Sequence, residues 1–128
     1  MPSIRADKQV FPFFNSVKVP VTAAGTSDSF HNSGFDTLAL EVSPSGAGSS
    51  VTIAGYVEGC INIVAPDGTT LEDNDCAWTQ LALIDANLDK QTTFEQGIYF
   101  VGINGMARVR VVITSISGSA TIVGVAEV

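Results

Sequence analysis

The chain is poor in the residues that most often carry chemistry. Among 128 residues there are one His, two Cys, one Trp and only six Lys and Arg. Six cations against 13 acids leave a formal net charge of −7. Phosphate binding needs clustered Lys and Arg to release counterions, so nucleic acid is excluded as the main partner. Charged residues make up 15% of the chain and hydrophobic ones 45%. Disordered acidic chains show the reverse, being poor in β-branched and aromatic residues. No apolar run approaches the ~20 residues of a membrane-spanning helix, so no membrane segment is expected. Met1-Pro-Ser-Ile-Arg-Ala-Asp-Lys8 places charges where a signal peptide would be apolar, and no secretion signal is expected. A helical period is missing as well, since no stretch sustains one beyond a few residues.

Alternation is present instead. In Phe35–Val42, Leu38, Leu40 and Val42 share one face and Thr37, Ala39 and Glu41 the other, the pattern of a half-buried strand. Val51, Ile53 and Val57 alternate with Thr52, Ala54, Tyr56 and Glu58, with bends expected at Gly55 and Gly59. Cys60–Ala65 continues or restarts that strand. Trp78–Ile84 is a further apolar run, and Gly97–Ile103, apolar on both faces, reads as a central strand. Asn104-Gly105 is the strongest hairpin signal in the chain. After it, Ala107, Val109, Val111 and Ile113 alternate with Arg108, Arg110, Val112 and Thr114, and a last strand covers 120–125.

The connectors 24–34, 43–50 and 66–77 are rich in Gly, Ser, Asn, Asp and Pro. Residues 85–91 fit one helical turn or a plain loop. The expectation is an all-β chain of one domain: a single β-sandwich over residues 17–128, jelly-roll-like, with about eight strands. Val17–Val21 reads as its first strand, held to an edge or an end by Pro20. Residues 1–16 read as an extended N-terminal arm without alternation. Its aromatics Phe11, Phe13 and Phe14 need cover, either from the chain's own domain or from a neighbouring subunit.

Charge is concentrated in the middle. Glu58, Asp67, Glu72, Asp73, Asp75, Asp85, Asp89 and Glu95 are opposed there only by Lys90, which accounts for the whole of −7. Arg5, Lys8 and Lys18 make the N-terminal end locally basic. Such asymmetry predicts a solvated acidic side and a docking side elsewhere.

Few residues offer themselves as a site. His31 stands alone in a loop, where a triad would need a nucleophile and an acid, and zinc three or four N/S ligands. No catalytic residues, no metal site and no cofactor are expected, and the chain is not expected to be an enzyme. Asp67, Glu72, Asp73 and Asp75 carry oxygens suited to Ca²⁺ but lack the EF-hand spacing, so a solvated loop is expected. Gly46-Ala-Gly48 precedes a strand rather than a helix, so it is not a phosphate loop. Cys60 and Cys76 lie sixteen positions apart on either side of the Pro66-Asp-Gly68 turn. They read as two free thiols by default or as a disulfide, the latter requiring Cα atoms within about 7 Å. Tyr56 and Trp78 could serve as a ligand-stacking platform, although a Trp opening an apolar strand more often packs in a core. Arg108 and Arg110 share one strand face, as solvent-facing charges or as contacts for a neighbouring chain's carboxylates.

Taken in series, Trp78-Thr-Gln-Leu-Ala-Leu-Ile-Asp85, Gly97-Ile-Tyr-Phe-Val-Gly-Ile-Asn-Gly105, Ala107-Arg-Val-Arg-Val111 and Ser117-Gly-Ser-Ala-Thr-Ile-Val-Gly124 resemble small tailed-bacteriophage virion proteins. These are β-sandwich decoration, head-fibre or tail-associated modules. The resemblance covers about residues 50–128 and brings no catalytic residues with it. It implies a non-enzymatic component of a phage particle, assembled in the host cytoplasm. A capsid decoration (cement) protein is the leading expectation, with a neck- or tail-associated protein beside it. Its partners would be the major capsid protein or other virion proteins and copies of itself, a trimer being the expected oligomer. The alternative is a carbohydrate- or receptor-binding module using Tyr56 and Trp78.

Overall fold

The computed structural model describes residues 8–14, 20–46 and 49–128. Most of the strand expected at Val17–Val21 lies outside them, and Val21 itself makes a single bridge to Ala120. The described strands are β1 (Lys8–Pro12), β2 (Gly25–Thr26), β3 (Phe30–His31), β4 (Thr37–Pro44), β5 (Thr52–Cys60) and β6 (Thr79–Gln80). They continue with β7 (Leu83–Asp85), β8 (Lys90–Gln91), β9 (Gly97–Gly102), β10 (Arg108–Ser117) and β11 (Ala120–Glu127). Among the described residues, one 3-10 turn, Asp73–Asp75, interrupts the run of strands.

Two antiparallel sheets face each other. The first has the order β1-β11-β4-β9-β7-β8; the second has β2-β10-β5-β6, with β3 also paired to β10. The alternation read from the sequence decides which side chains meet between them. Leu38, Leu40 and Val42 of β4 and Tyr99 and Val101 of β9 point inward from the first sheet. Val57 of β5 and Val109, Val111 and Ile113 of β10 answer from the second. Phe30, Leu83, Phe94 and Ile103 are buried in the same core. An all-β sandwich is therefore what the chain forms.

Residues 8–14 of the N-terminal segment take the first of the two fates open to it. They fold back as edge strand β1 on β11, with Val10 opposite Val125 and Phe11 opposite Gly124. Phe13 is completely buried, and Phe11 stacks edge-on against it with ring centroids 5.0 Å apart. A glycine makes this possible: a Cβ on Gly124 would lie 2.6 Å from the Phe13 ring and 2.8 Å from Leu38. Of the two sources of cover left open for Phe11, Phe13 and Phe14, the chain's own domain is the one that buries Phe13, with Phe11 and Phe14 half-buried against the same core, so Phe13 is not a partner contact.

Three connections depart from the sequence reading. The Asn104-Gly105 turn forms, with Gly105 at φ 84° and the Met106 N–H donating to the Ile103 carbonyl at 3.0 Å, yet it makes no hairpin. β9 pairs with β4 and β7, and β10 with β5, in the other sheet. A tight turn reverses the chain but does not choose the layer that the next strand joins. Here Tyr99 and Val101 face Val109 and Val111 across the core, so the turn caps the sandwich. Asn32 holds it there, donating from Nδ2 to the carbonyls of Ile103 and Phe35, both at 3.0 Å. Trp78–Ile84 likewise splits into β6 in one sheet and β7 in the other. The strand ending at Cys60 does not run on to Ala65; beyond it only Val64 and Thr70 bridge.

Candidate functional site

The two outer faces of the sandwich differ in chemistry. On the second sheet, strand register places Arg110 opposite Glu58, Val112 opposite Tyr56 and Arg108 opposite Cys60, all facing away from the core. The acidic segment between β5 and β6 folds back over this face. Arg108, only 5% exposed, donates from Nη1 to Asp73 Oδ1 at 2.9 Å and to the Cys76 sulfur at 3.5 Å. Ser29 donates to the same Asp73 oxygen at 3.0 Å, and the Trp78 indole N–H donates to the Asp73 carbonyl at 2.7 Å. Arg110 donates from Nε to Glu58 Oε1 at 3.0 Å, while its guanidinium lies 4.0 Å from the centre of the Trp78 ring. A cation so placed is held by the ring's negative face.

This corrects the sequence reading of both arginines. They are neither free surface charges nor open contacts for another chain, because Asp73 and Glu58 already occupy them. The acidic loop is not uniformly solvated either, since Asp73 serves as the counter-ion of a buried guanidinium. Arg108 Nε is buried without a hydrogen-bond partner. Beside this clamp lies an open cleft of about 340 Å³ lined by His31, Glu72, Asp73, Asn74 and Arg108. Trp78 has one ring face under Arg110, and among the described residues it forms no ring pair with Tyr56.

Cys60 and Cys76 are both free thiols, the first buried and the second half-buried. Burial, with the Cys76 thiol beside it, pushes the Cys60 thiol up to about 11. In the exposed loops, Asp67 is held below the usual carboxylate range by the Thr69 hydroxyl and N–H. Asp85 is held low by the Gln91 amide and the Asp89 and Asn87 N–H groups. Among the described residues no group of three or more His, Cys, Asp or Glu is placed to hold a metal ion.

The outer face of the first sheet is apolar in its middle, between the Lys8–Glu127 ion pair at one end and Lys90 opposite Ile84 at the β8 edge. One row of side chains crosses five strands as Val10, Val125, Ala39, Phe100 and Ile84. The next row, Pro12, Val123, Glu41 and Ile98, adds a single charge. Val10 is 64% exposed, Ile98 47% and Phe100 40%. A hollow of about 310 Å³ lies among Ala39, Leu40, Glu41, Ile98, Val123 and Val125. β9 is central, as expected, but only its Tyr99–Val101 face is buried, while its other face lies open to solvent. Sequence reading assigned none of these outer residues to a site. The available signal was that β9 and β11 are apolar at both alternating sets of positions, more than one buried face requires.

No protein-family model and no curated protein matches the chain. The arrangement defines an antiparallel two-sheet sandwich with an apolar row across one outer face and two buried or half-buried arginine ion pairs on the other, and solved structures share its fold. It is similar to the SPBc2 prophage-derived protein YomS, with a TM-score of 0.68 and 19% identity over 98% of both chains. It is also similar to the PBSX exported protein XepA, with a TM-score of 0.61 and 16% identity, covering 97% of this chain and 39% of that one. At these identities the likeness establishes the fold.

Proposed function

We propose that this chain is a non-enzymatic structural protein of a phage particle, a capsid decoration protein that docks through the outer face of its first sheet. The observation that carries the reading is the apolar row Val10–Val125–Ala39–Phe100–Ile84, which crosses five strands and leaves Val10 and Phe100 exposed among the described residues. Soluble monomers rarely leave a contiguous apolar patch of this kind open, and such patches mark interaction surfaces. The ion-paired second sheet, with its acidic loop, would then face solvent. Folds shared with two proteins named as SPBc2 prophage-derived and PBSX exported support the phage assignment. The resemblance of residues 50–128 to virion modules supports it independently. Burying the face against the major capsid protein or against further copies, a trimer being the expected assembly, would remove it from water.

Quantitative mass spectrometry of purified particles tests the reading. The chain should be present at a copy number matching the capsid lattice. A double variant, Ile98→Asp with Phe100→Asp, should fold but be missing from particles. Absence of the wild-type chain, or incorporation of the variant at the wild-type level, would overturn the proposal. A low copy number matching the portal or tail symmetry would move the chain to the neck or tail.

A further inference from the structure

The two cysteines under the acidic loop have no chemical role in the docking reading above, although the Cys76 sulfur accepts from Arg108 and its thiol donates to the Glu72 carbonyl at 3.5 Å. Cys60 closes β5 on the outer face of the second sheet, opposite Arg108. The pairing of Gly59 with Thr79 brings the chain after Cys76 back alongside the end of β5. Arg108, the cross-strand partner of Cys60, donates from Nη1 to the Cys76 sulfur at 3.5 Å, so one arginine gathers both cysteines over the end of the strand. Two cysteines gathered at one arginine, one at a strand end and one on a half-buried loop, are placed for a disulfide to join them.

We propose that Cys60 and Cys76 are a thiol modification site that small-molecule disulfides convert reversibly into an intrachain disulfide, stapling the acidic loop to the end of β5. With oxidised glutathione as the oxidant, the Cys76 thiolate attacks one glutathione sulfur. The S–S bond breaks, a mixed disulfide forms, and one glutathione leaves as a thiolate that takes up a proton. Cys60 then gives its proton to solvent and attacks the Cys76 sulfur, expelling the second glutathione. Overall the two protein thiols lose two electrons and two protons, and one glutathione disulfide is reduced to two glutathiones. The order follows from access, because Cys76 is half-buried and Cys60 is covered. The high value of the Cys60 thiol makes the second step the slower one and quickens it as pH rises. Asp73 keeps its own bond to Arg108 throughout, so closure adds a covalent tie without opening the ion pair.

The experiment treats the folded chain with oxidised glutathione, caps remaining thiols with iodoacetamide and maps peptides by mass spectrometry. The expected product is a monomer with both thiols gone, no glutathione retained and the peptides holding Cys60 and Cys76 linked. Dithiothreitol should restore both thiols, and the bridged form should melt several degrees higher, since the closed loop restricts the unfolded chain. Cys60→Ser should stop at a stable glutathione adduct on Cys76. Wild-type protein that stops at that adduct, dimerises through Cys76, or keeps both thiols would overturn the proposal.

Discussion

Asp73 and Arg108, 35 positions apart in the chain, meet at 2.9 Å over the outer face of the second sheet. Arg108 is almost wholly buried, while the Asp73 side chain is 38% exposed, so the pair is asymmetric. Removing the acid leaves a nearly buried guanidinium without its carboxylate; removing the cation leaves a carboxylate that water can solvate. Asp73→Ala should therefore cost about 1–3 kcal/mol, solvent around the acid reducing the penalty of a fully buried pair. Arg108→Met, which keeps the packing of the stem, should cost less, about 1 kcal/mol or below. Urea unfolding midpoints of the two variants decide it, and equal costs would count against the asymmetry.

Phe13 and Gly124 form a second coupled pair. Phe13→Ala empties a site at the β1 edge of the core and should destabilise by about 3–5 kcal/mol. Gly124→Ala drives a methyl group into the Phe13 ring and should cost about 1–3 kcal/mol through overpacking. In the double variant the added methyl has the vacated space, so the two costs should fall well short of additivity. Additive costs in denaturant unfolding would mean that β1 does not seat Phe13 against Gly124.

Cys60 predicts a stability change at alkaline pH. Its folded value of about 11 stands above the ordinary 9.0, so folding favours the neutral thiol. That contribution is complete below pH 9 and falls away as pH rises through 11. Thermal melts from pH 8 to 11 should show a loss that is absent in Cys60→Ala. Iodoacetamide at neutral pH should label Cys76 well before Cys60.

Asp85 predicts the opposite dependence. Its carboxylate accepts from the Gln91 amide at 2.9 Å and from the Asn87 and Asp89 N–H groups at 2.9 and 3.0 Å, which lowers its value in the fold. The contribution is present above the ordinary carboxylate value and is lost as pH falls through the lowered one. The protection factors for amide exchange at Asn87 and Asp89, taken relative to the intrinsic rate at each pH, should fall in acid, and Asp85→Asn should remove that dependence.

Period-two alternation made the all-β class legible, together with the inward sets on β4, β5 and β10. Alternation is a local property, since a strand that buries one face must show it in its own residues. The concentration of acid in residues 58–95 was equally legible as composition. What the sequence could not decide was which strands share a sheet. Asn104-Gly105 carries the chemistry of a hairpin, yet β9 and β10 join different layers because their inner residues must oppose each other across the core. The same long-range packing placed Phe13 under Gly124, gave Arg108 and Arg110 their internal partners Asp73 and Glu58, and brought Cys60 to Cys76. It also lined up Val10, Val125, Ala39, Phe100 and Ile84 from five separate strands into one apolar row. Each depends on register between distant segments, which no local spacing records.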